Sequence, residues 1–292
     1  MAIKIITDEK CGEYYQKRHP ERPERVLKTI EKLKNQCEIN IEWEPAAFPE
    51  DSILLKTHTP ELIEAVKNPK GDFDSDTPAY PNIYEYALRA VDGAIKAAET
   101  AMKGETSFSL LRPPGHHATK SQAMGFCYFN NIAAAALYLT ERYPDCKVAI
   151  YDFDVHHGNG TEEIVLNHPQ IAFYSIHEYP HYPGTGGENA GNNCFNYPVA
   201  PNSPRNDYLS ALGKALEDLL KFKPTIIGVS AGFDAFEKDT LATQSLIIED
   251  YYWLGRQLSK TGIPIFCALE GGYSKELPEL VFSFLKGLYE KN

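Results

Sequence analysis

The stretch KVAIYDFDVHHGNG, residues 147–160, decides how the rest of the chain is read. Its first part, 147–151, is a short apolar run of the length and composition of a buried strand. Its second part carries Asp152, Asp154, His156 and His157 and closes on a Gly-bearing turn. Asp152, Asp154 and His156 alternate, so at the end of a strand they point to one face, and Asp154 and His156 can bind one ion. A hydrophobic strand ending in two carboxylates and two imidazoles carries a heavy desolvation cost unless something positive sits among them.

The same arrangement recurs along the chain. The runs 107–111, 171–176, 225–229 and 264–269 are followed by RPPGHH, HEYPHYPGTGG, AGFD and EGGY. Between the runs, amphipathic or Ala-rich patterns predict helices over 25–35, 83–102, 131–142, 207–221, 246–260 and 276–289. Strand alternating with helix implies an α/β fold with a mostly parallel central sheet flanked by helices on both faces. Such sheets gather ligands at the carboxyl ends of their strands, so five segments distant in sequence can converge on one pocket.

The composition is that of a globular protein: 43% of the 292 residues are hydrophobic and 24% charged. With no repeat, low-complexity tract or linker, a single domain over residues 1–292 is expected. The formal net charge of −11 repels phosphate backbones and acidic lipid surfaces, so nucleic-acid binding is not expected, whereas cationic substrates remain compatible. The longest apolar stretch, 132–139, is far short of the roughly 20 residues that cross a bilayer. The polar start MAIKIITDEK lacks a secretory h-region, and a cytoplasmic protein is expected. Cysteines 11, 37, 127, 146, 194 and 267 show no CxxC spacing and are read as reduced thiols.

Asp234, after the Gly232-Phe233 turn, is available as a third ligand to join Asp154 and His156, although taken alone such an Asp is more often a helix N-cap. Two carboxylates and one imidazole leave an open coordination position, which suits a catalytic divalent ion: Zn²⁺, with Fe²⁺, Co²⁺ and Mn²⁺ compatible. The pair His116-His117 follows Pro113-Pro114-Gly115, a rigid stretch and a sharp turn that can present both rings to a pocket. One imidazole can act as general base while the other holds charge, with Asp152 and Asn159 as orienting partners, one charged and one neutral. Tyr273, after Gly271-Gly272, can donate to an oxyanion. Gly125-Phe126 and Tyr182 are candidate walls of a narrow channel.

The segments HPERPERV, RPPGHHA, MGFCYFNN, DFDVHHGNGTEE, YSIHEYPHYPGTG, SAGFD and EGGY, in this order over about residues 19–273, resemble the histone deacetylase superfamily in its class II-like or bacterial amidohydrolase form. That superfamily also covers acetoin-utilisation proteins and acetylpolyamine amidohydrolases. The resemblance implies the arginase-like α/β fold and one Zn²⁺ per chain held by Asp154, His156 and Asp234. It makes His117, paired with Asn159, the general base and later acid, and His116, paired with Asp152, its electrostatic companion. Tyr273 would stabilise the oxyanion, Phe126 and Tyr182 would flank an acetyl-lysine channel, and Gly125 would offer its carbonyl to the substrate amide. Asp76 would hold the substrate backbone, and Asp152 and Ser175 would contribute to a structural K⁺ site. Leu241 occupies the position where polyamine-selective members carry an acidic gatekeeper. The implied activity is removal of acetyl from an N-acetylated amine, most readily a protein acetyl-lysine, with an acetylated polyamine or other small amide as alternative substrate. Two further readings stay open: a two-metal ureohydrolase on the same fold, and a non-catalytic acetyl-lysine binder.

Overall fold

The computed structural model describes residues 2–48 and 51–290. Eight strands form one sheet: β1 (Ile3–Thr7), β2 (Ile41–Pro45), β3 (Thr106–Ser109), β4 (Val148–Asp152), β5 (Ile171–Glu178), β6 (Cys194–Val199), β7 (Ile226–Ala231) and β8 (Ile265–Leu269). Their order is β2-β1-β3-β8-β7-β4-β5-β6, and every pairing is parallel, so the expected "mostly parallel" sheet is parallel throughout. Strands β4, β5, β7 and β8 are buried at every position, which is why they read as continuous apolar runs rather than as alternation.

The helices are α1 (Glu24–Asn35), α2 (Leu54–Thr57), α3 (Pro60–Lys67), α4 (Ile83–Met102), α5 (Asn131–Arg142), α6 (Asn159–Val165), α7 (Arg205–Lys221), α8 (Ile248–Lys260) and α9 (Leu277–Tyr289). One face of the sheet is covered by α4 and α5, with α2, α3 and α6 packed beside them; the other face carries α7, α8 and α9, with α1 against α9. Helix α4 is buried along nearly its whole length, and its alanines let it lie close on β1, β3 and β8. Among the described residues the buried apolar side chains form one continuous core, and no helix is long and apolar enough to cross a membrane. All six cysteines are free thiols, five of them buried.

Chain order places the site. After β3 the chain jumps past two vacant positions to β4, continues outward through β5 and β6, and returns to insert β7 and β8 between β4 and β3. The five segments RPPGHH, EGGY, AGFD, DFDVHH and HEYPHY therefore leave the carboxyl ends of five adjacent strands, β3, β8, β7, β4 and β5. This reversal is the crevice where open parallel sheets bind ligands.

Candidate active site

Just beyond β4 and β7, ligand atoms of Asp154, His156 and Asp234 lie within 4.8 Å of one another, and all three residues are buried. His156 Nδ1 lies 3.0 Å from Asp154 Oδ1 and 3.1 Å from Asp234 Oδ2. The acids are fixed from behind by backbone amides: Gly271 N donates to Asp154 Oδ2 at 2.7 Å, and Val155 N to Asp234 Oδ1 at 2.9 Å. Gly271 is required by this close approach, because a Cβ there would fall 2.1 Å from Asp234 Oδ2 and 2.5 Å from Asp154 Oδ2. Burial, and then the Asp154 charge, push the Asp234 carboxyl up to about 7, whereas His156 is held well above the usual histidine range against its burial by both carboxylates. Two buried acids that hold a proton on the ring between them are chemically suited to a small cation, and the donor set of two carboxylates and one imidazole nitrogen fits a divalent ion with positions left open. Among the described residues this is the one group of three such side chains.

Two imidazoles stand beside this group, with ring centroids 4.0 Å apart. His116 Nδ1 meets Asp152 Oδ2 at 3.1 Å, and its Nε2 lies 3.7 Å from Asp154 Oδ1. Burial would lower its pKa, but the carboxylates of Asp154 and Asp152 outweigh burial and hold it at about 10. His117 Nδ1 meets Asn159 Oδ1 at 2.8 Å. The Asn159 amide nitrogen is turned the other way, 3.5 Å from the His117 carbonyl, so its oxygen accepts and Nδ1 carries the hydrogen. Burial, then the charges of His116 and His156, push His117 well below the ordinary range. Neighbouring rings thus differ in charge: one is protonated, and the other is neutral with Nε2 unprotonated.

The turn carrying the pair is anchored by Glu270, which accepts from Gly115 N at 2.7 Å and His116 N at 3.1 Å. Arg25 on α1 donates to the Gly272 carbonyl at 2.7 Å and to the Glu270 carbonyl, and its guanidinium stacks on the Tyr273 ring at 4.7 Å. Asp239 accepts from the backbone N of Tyr273 at 2.6 Å and of Ser274 at 3.1 Å. These groups orient Tyr273, whose phenol burial keeps protonated well above its ordinary pKa.

His117, Gly125, Phe126, His156, Tyr182 and Tyr273 line a cavity of about 220 Å³, joined at its rim by Asp76, His181 and Leu241. The Phe126 and Tyr273 rings lie 5.6 Å apart, and the Tyr182 ring stands edge-on to His117 at 5.0 Å. Gly125 has a positive φ of 57°, and a Cβ there would reach 2.5 Å from the His117 ring. Asp76 Oδ1 is buried without a hydrogen-bond partner. Burial and the neighbouring Asp74 push its carboxyl up to about 6.

The structure therefore brings together thirteen of the fourteen expected residues around the pocket or directly behind it. Ser175 is set further back: it is the cross-strand neighbour of Asp152, and its hydroxyl lies 2.9 Å from His177 Nδ1. Four contributors were not assigned from sequence. Arg25, Glu270 and Asp239 act through contacts far along the chain, and their only trace is a charged residue where a buried apolar one would be ordinary. His181, in the HEYPHY segment, borders the pocket with its ring 5.2 Å from that of His156 and its Nδ1 unpartnered.

The family model of the histone deacetylase domain matches residues 19–288. The chain belongs to the histone deacetylase family. It is 39% identical to a probable deacetylase of Methanothermobacter thermautotrophicus over 84% of this chain and 78% of that one. It is 32% identical to the acetylpolyamine amidohydrolase of Mycoplana ramosa over 84% of this chain and 77% of that one. The solved HDA15 HD domain superposes with a TM-score of 0.89 at 30% identity, covering 99% of this chain and 89% of that chain. An acetylpolyamine aminohydrolase structure from Burkholderia pseudomallei, at 22% identity and a TM-score of 0.89, shares the fold and covers 98% of each chain. These relatives are deacetylases and amidohydrolases, and the family membership makes this chain one of that enzyme group.

Proposed function

We propose that this protein is a zinc-dependent deacetylase that hydrolyses the amide of an acetyl-lysine side chain and releases acetate. The observation that carries the reading is the convergence of Asp154, His156 and Asp234 beside a neutral His117, in a pocket closed by Tyr273. Asp154, His156 and Asp234 would hold one zinc ion per chain. Such an ion activates water as a nucleophile and polarises the substrate carbonyl.

The chain's own residues do the rest. With Nδ1–H committed to Asn159, His117 accepts the proton of the attacking water at Nε2 and later delivers it to the leaving amine nitrogen. His116, kept protonated by Asp152 and Asp154, stays cationic and lowers the proton affinity of its neighbour. Tyr273 donates its hydroxyl to the carbonyl oxygen as negative charge develops there. Phe126 and Tyr182 flank the four-carbon stem of the lysine, the Gly125 carbonyl accepts from the substrate amide N–H, and the unpartnered Asp76 oxygen accepts from the substrate backbone. Asp152 and Ser175 would belong to a structural K⁺ site behind His116.

An acetylated polyamine is the competing substrate. Leu241 at the rim offers it no charge, and of the acids next to Leu241 in the chain Asp239 is committed to backbone amides and Glu237 stands 3.9 Å from Lys238; Asp76 is the acid that lines the pocket. A panel of acetyl-lysine peptides and acetylpolyamines, with acetate as the readout, tests the reading. His117→Ala is expected to abolish turnover while leaving bound zinc unchanged; full activity in that variant removes His117 from the chemistry. Tyr273→Phe is expected to lower kcat by roughly 10²- to 10³-fold, the usual effect of losing one oxyanion donor, and an unchanged kcat contradicts the assignment.

A further inference from the structure

Beside the mouth of the pocket lies a second, larger cavity of about 690 Å³, and Tyr273 belongs to the walls of both. The two also share one short segment, with Leu241 facing the pocket and Thr240 the cleft. In a chain whose net charge is −11 the cleft is basic: Arg18, Arg22, Lys238 and Lys275 line it, against the single acid Glu276. Glu276 stands 3.9 Å from Lys275, and Glu237 3.9 Å from Lys238. Arg18 and Arg22 are exposed and have no ion pair among the described residues. The buried acids beside the cleft are engaged: Glu21 by Arg25 and Arg112, and Asp239 by the backbone amides of Tyr273 and Ser274. The cleft also holds Ser274, whose hydroxyl is buried without a partner. Unpaired guanidinium groups with a free hydroxyl donor form a surface that favours an anionic group.

Resting on the deacetylase reading above, we propose that this cleft selects acetyl-lysine flanked by acidic residues, so that a Glu or Asp beside the lysine lies against Arg18 and Arg22 while the acetylated side chain enters the pocket. An extended peptide advances about 3.3 Å per residue, so the side chain next to the lysine reaches a cleft that shares a wall with the pocket. Across the mouth, the unpartnered Asp76 oxygen is an acceptor suited to a peptide N–H. A polyamine brings further positive charge to the same mouth, where Arg18, Arg22, Lys238 and Lys275 repel it. The overall acidity of the chain favours cations at long range, but within a Debye length of about 10 Å at 0.1 M salt the local cations dominate.

The test compares fluorescent acetyl-lysine peptides carrying two Glu, two Ala or two Lys around the acetyl-lysine, together with acetylspermidine, on the zinc-loaded full-length chain. Both kcat/KM and the binding constant by fluorescence anisotropy are read. The Glu-flanked peptide is expected to exceed the Lys-flanked one by about tenfold at 0.05 M salt, and by less than about twofold at 0.5 M, as screening of exposed pairs requires. The double variant Arg18→Glu with Arg22→Glu should invert that ratio. Lys238→Glu with Lys275→Glu serves as a second pair if the first does not fold. Equal kcat/KM across the three peptides, or a preference for Lys flanks, overturns the inference while leaving the deacetylase reading intact; a preference for acetylspermidine over every peptide overturns both the inference and the choice of acetyl-lysine as substrate. Absence of turnover on every substrate, with the anisotropy ranking preserved, overturns the deacetylase reading and supports the cleft.

Discussion

Gly271 shows how much of the site depends on what is absent from a side chain. Its amide donates to Asp154, and its Cα lies so close to both acids that any Cβ would collide with Asp234 and Asp154. Gly271→Ala is expected to weaken divalent-ion binding by at least about tenfold, the scale of lost support behind a metal ligand, with little change in circular dichroism; unaltered zinc affinity by competitive titration would contradict this. The residues bearing the chemistry were legible in the sequence because their types are costly to bury without a purpose: Asp154, His156 and His117 stood at the ends of apolar runs. Arg25 was not legible as a partner of Tyr273. Its hydrogen bond to Gly272 spans 247 positions, and locally it is one charged residue in the buried stripe of α1.

The elements are held in register around the site by a buried ion cluster. Glu21 accepts from Arg112 at 2.5 and 2.6 Å and from Arg25 at 3.1 Å, which ties the segment after β3 to the start of α1. Burial would raise the Glu21 pKa, but the Arg112 and Arg25 charges prevail and hold it below its ordinary value of 4.5. A carboxyl depressed on folding stabilises the protein fully above its unfolded pKa and loses that contribution as pH falls through the folded pKa. Glu21→Gln should therefore cost about 3–5 kcal/mol near pH 7, because two buried guanidinium groups lose their counter-charge. The difference in unfolding free energy from wild type should shrink once pH drops below about 4.5, and urea melts across that range check it; a pH-independent difference contradicts the account. Strands β4, β5, β7 and β8 were readable because burial on both faces makes them uniformly apolar. β3 (Thr106–Ser109) is read as 107–111, whereas β1, β2 and β6 escape the reading. β2, IEWEP, is an exposed edge with two acids, and β6 carries Asn196 and Pro198, which an edge strand tolerates. β1 is interrupted by Lys4, and α2, α3 and α6 are too short for a helical period to register.

At the scale of the molecule, strand order does what no motif does alone. Inserting β7 and β8 between β4 and β3 puts five loops at neighbouring strand ends, so ligands, proton carrier and oxyanion donor meet although they are separated by more than 150 positions. The sequence could suggest convergence but not adjacency, since order in a sheet is set by packing of the crossovers. One divalent ion per chain is expected at this edge, with turnover that depends on it. The decisive measurement is acetate release from an acetyl-lysine peptide as chelator-stripped protein is titrated with Zn²⁺. Activity should start near zero and rise linearly to a break at one equivalent per chain; full activity in the stripped protein, or a break at two equivalents, would contradict the single-ion site formed by Asp154, His156 and Asp234.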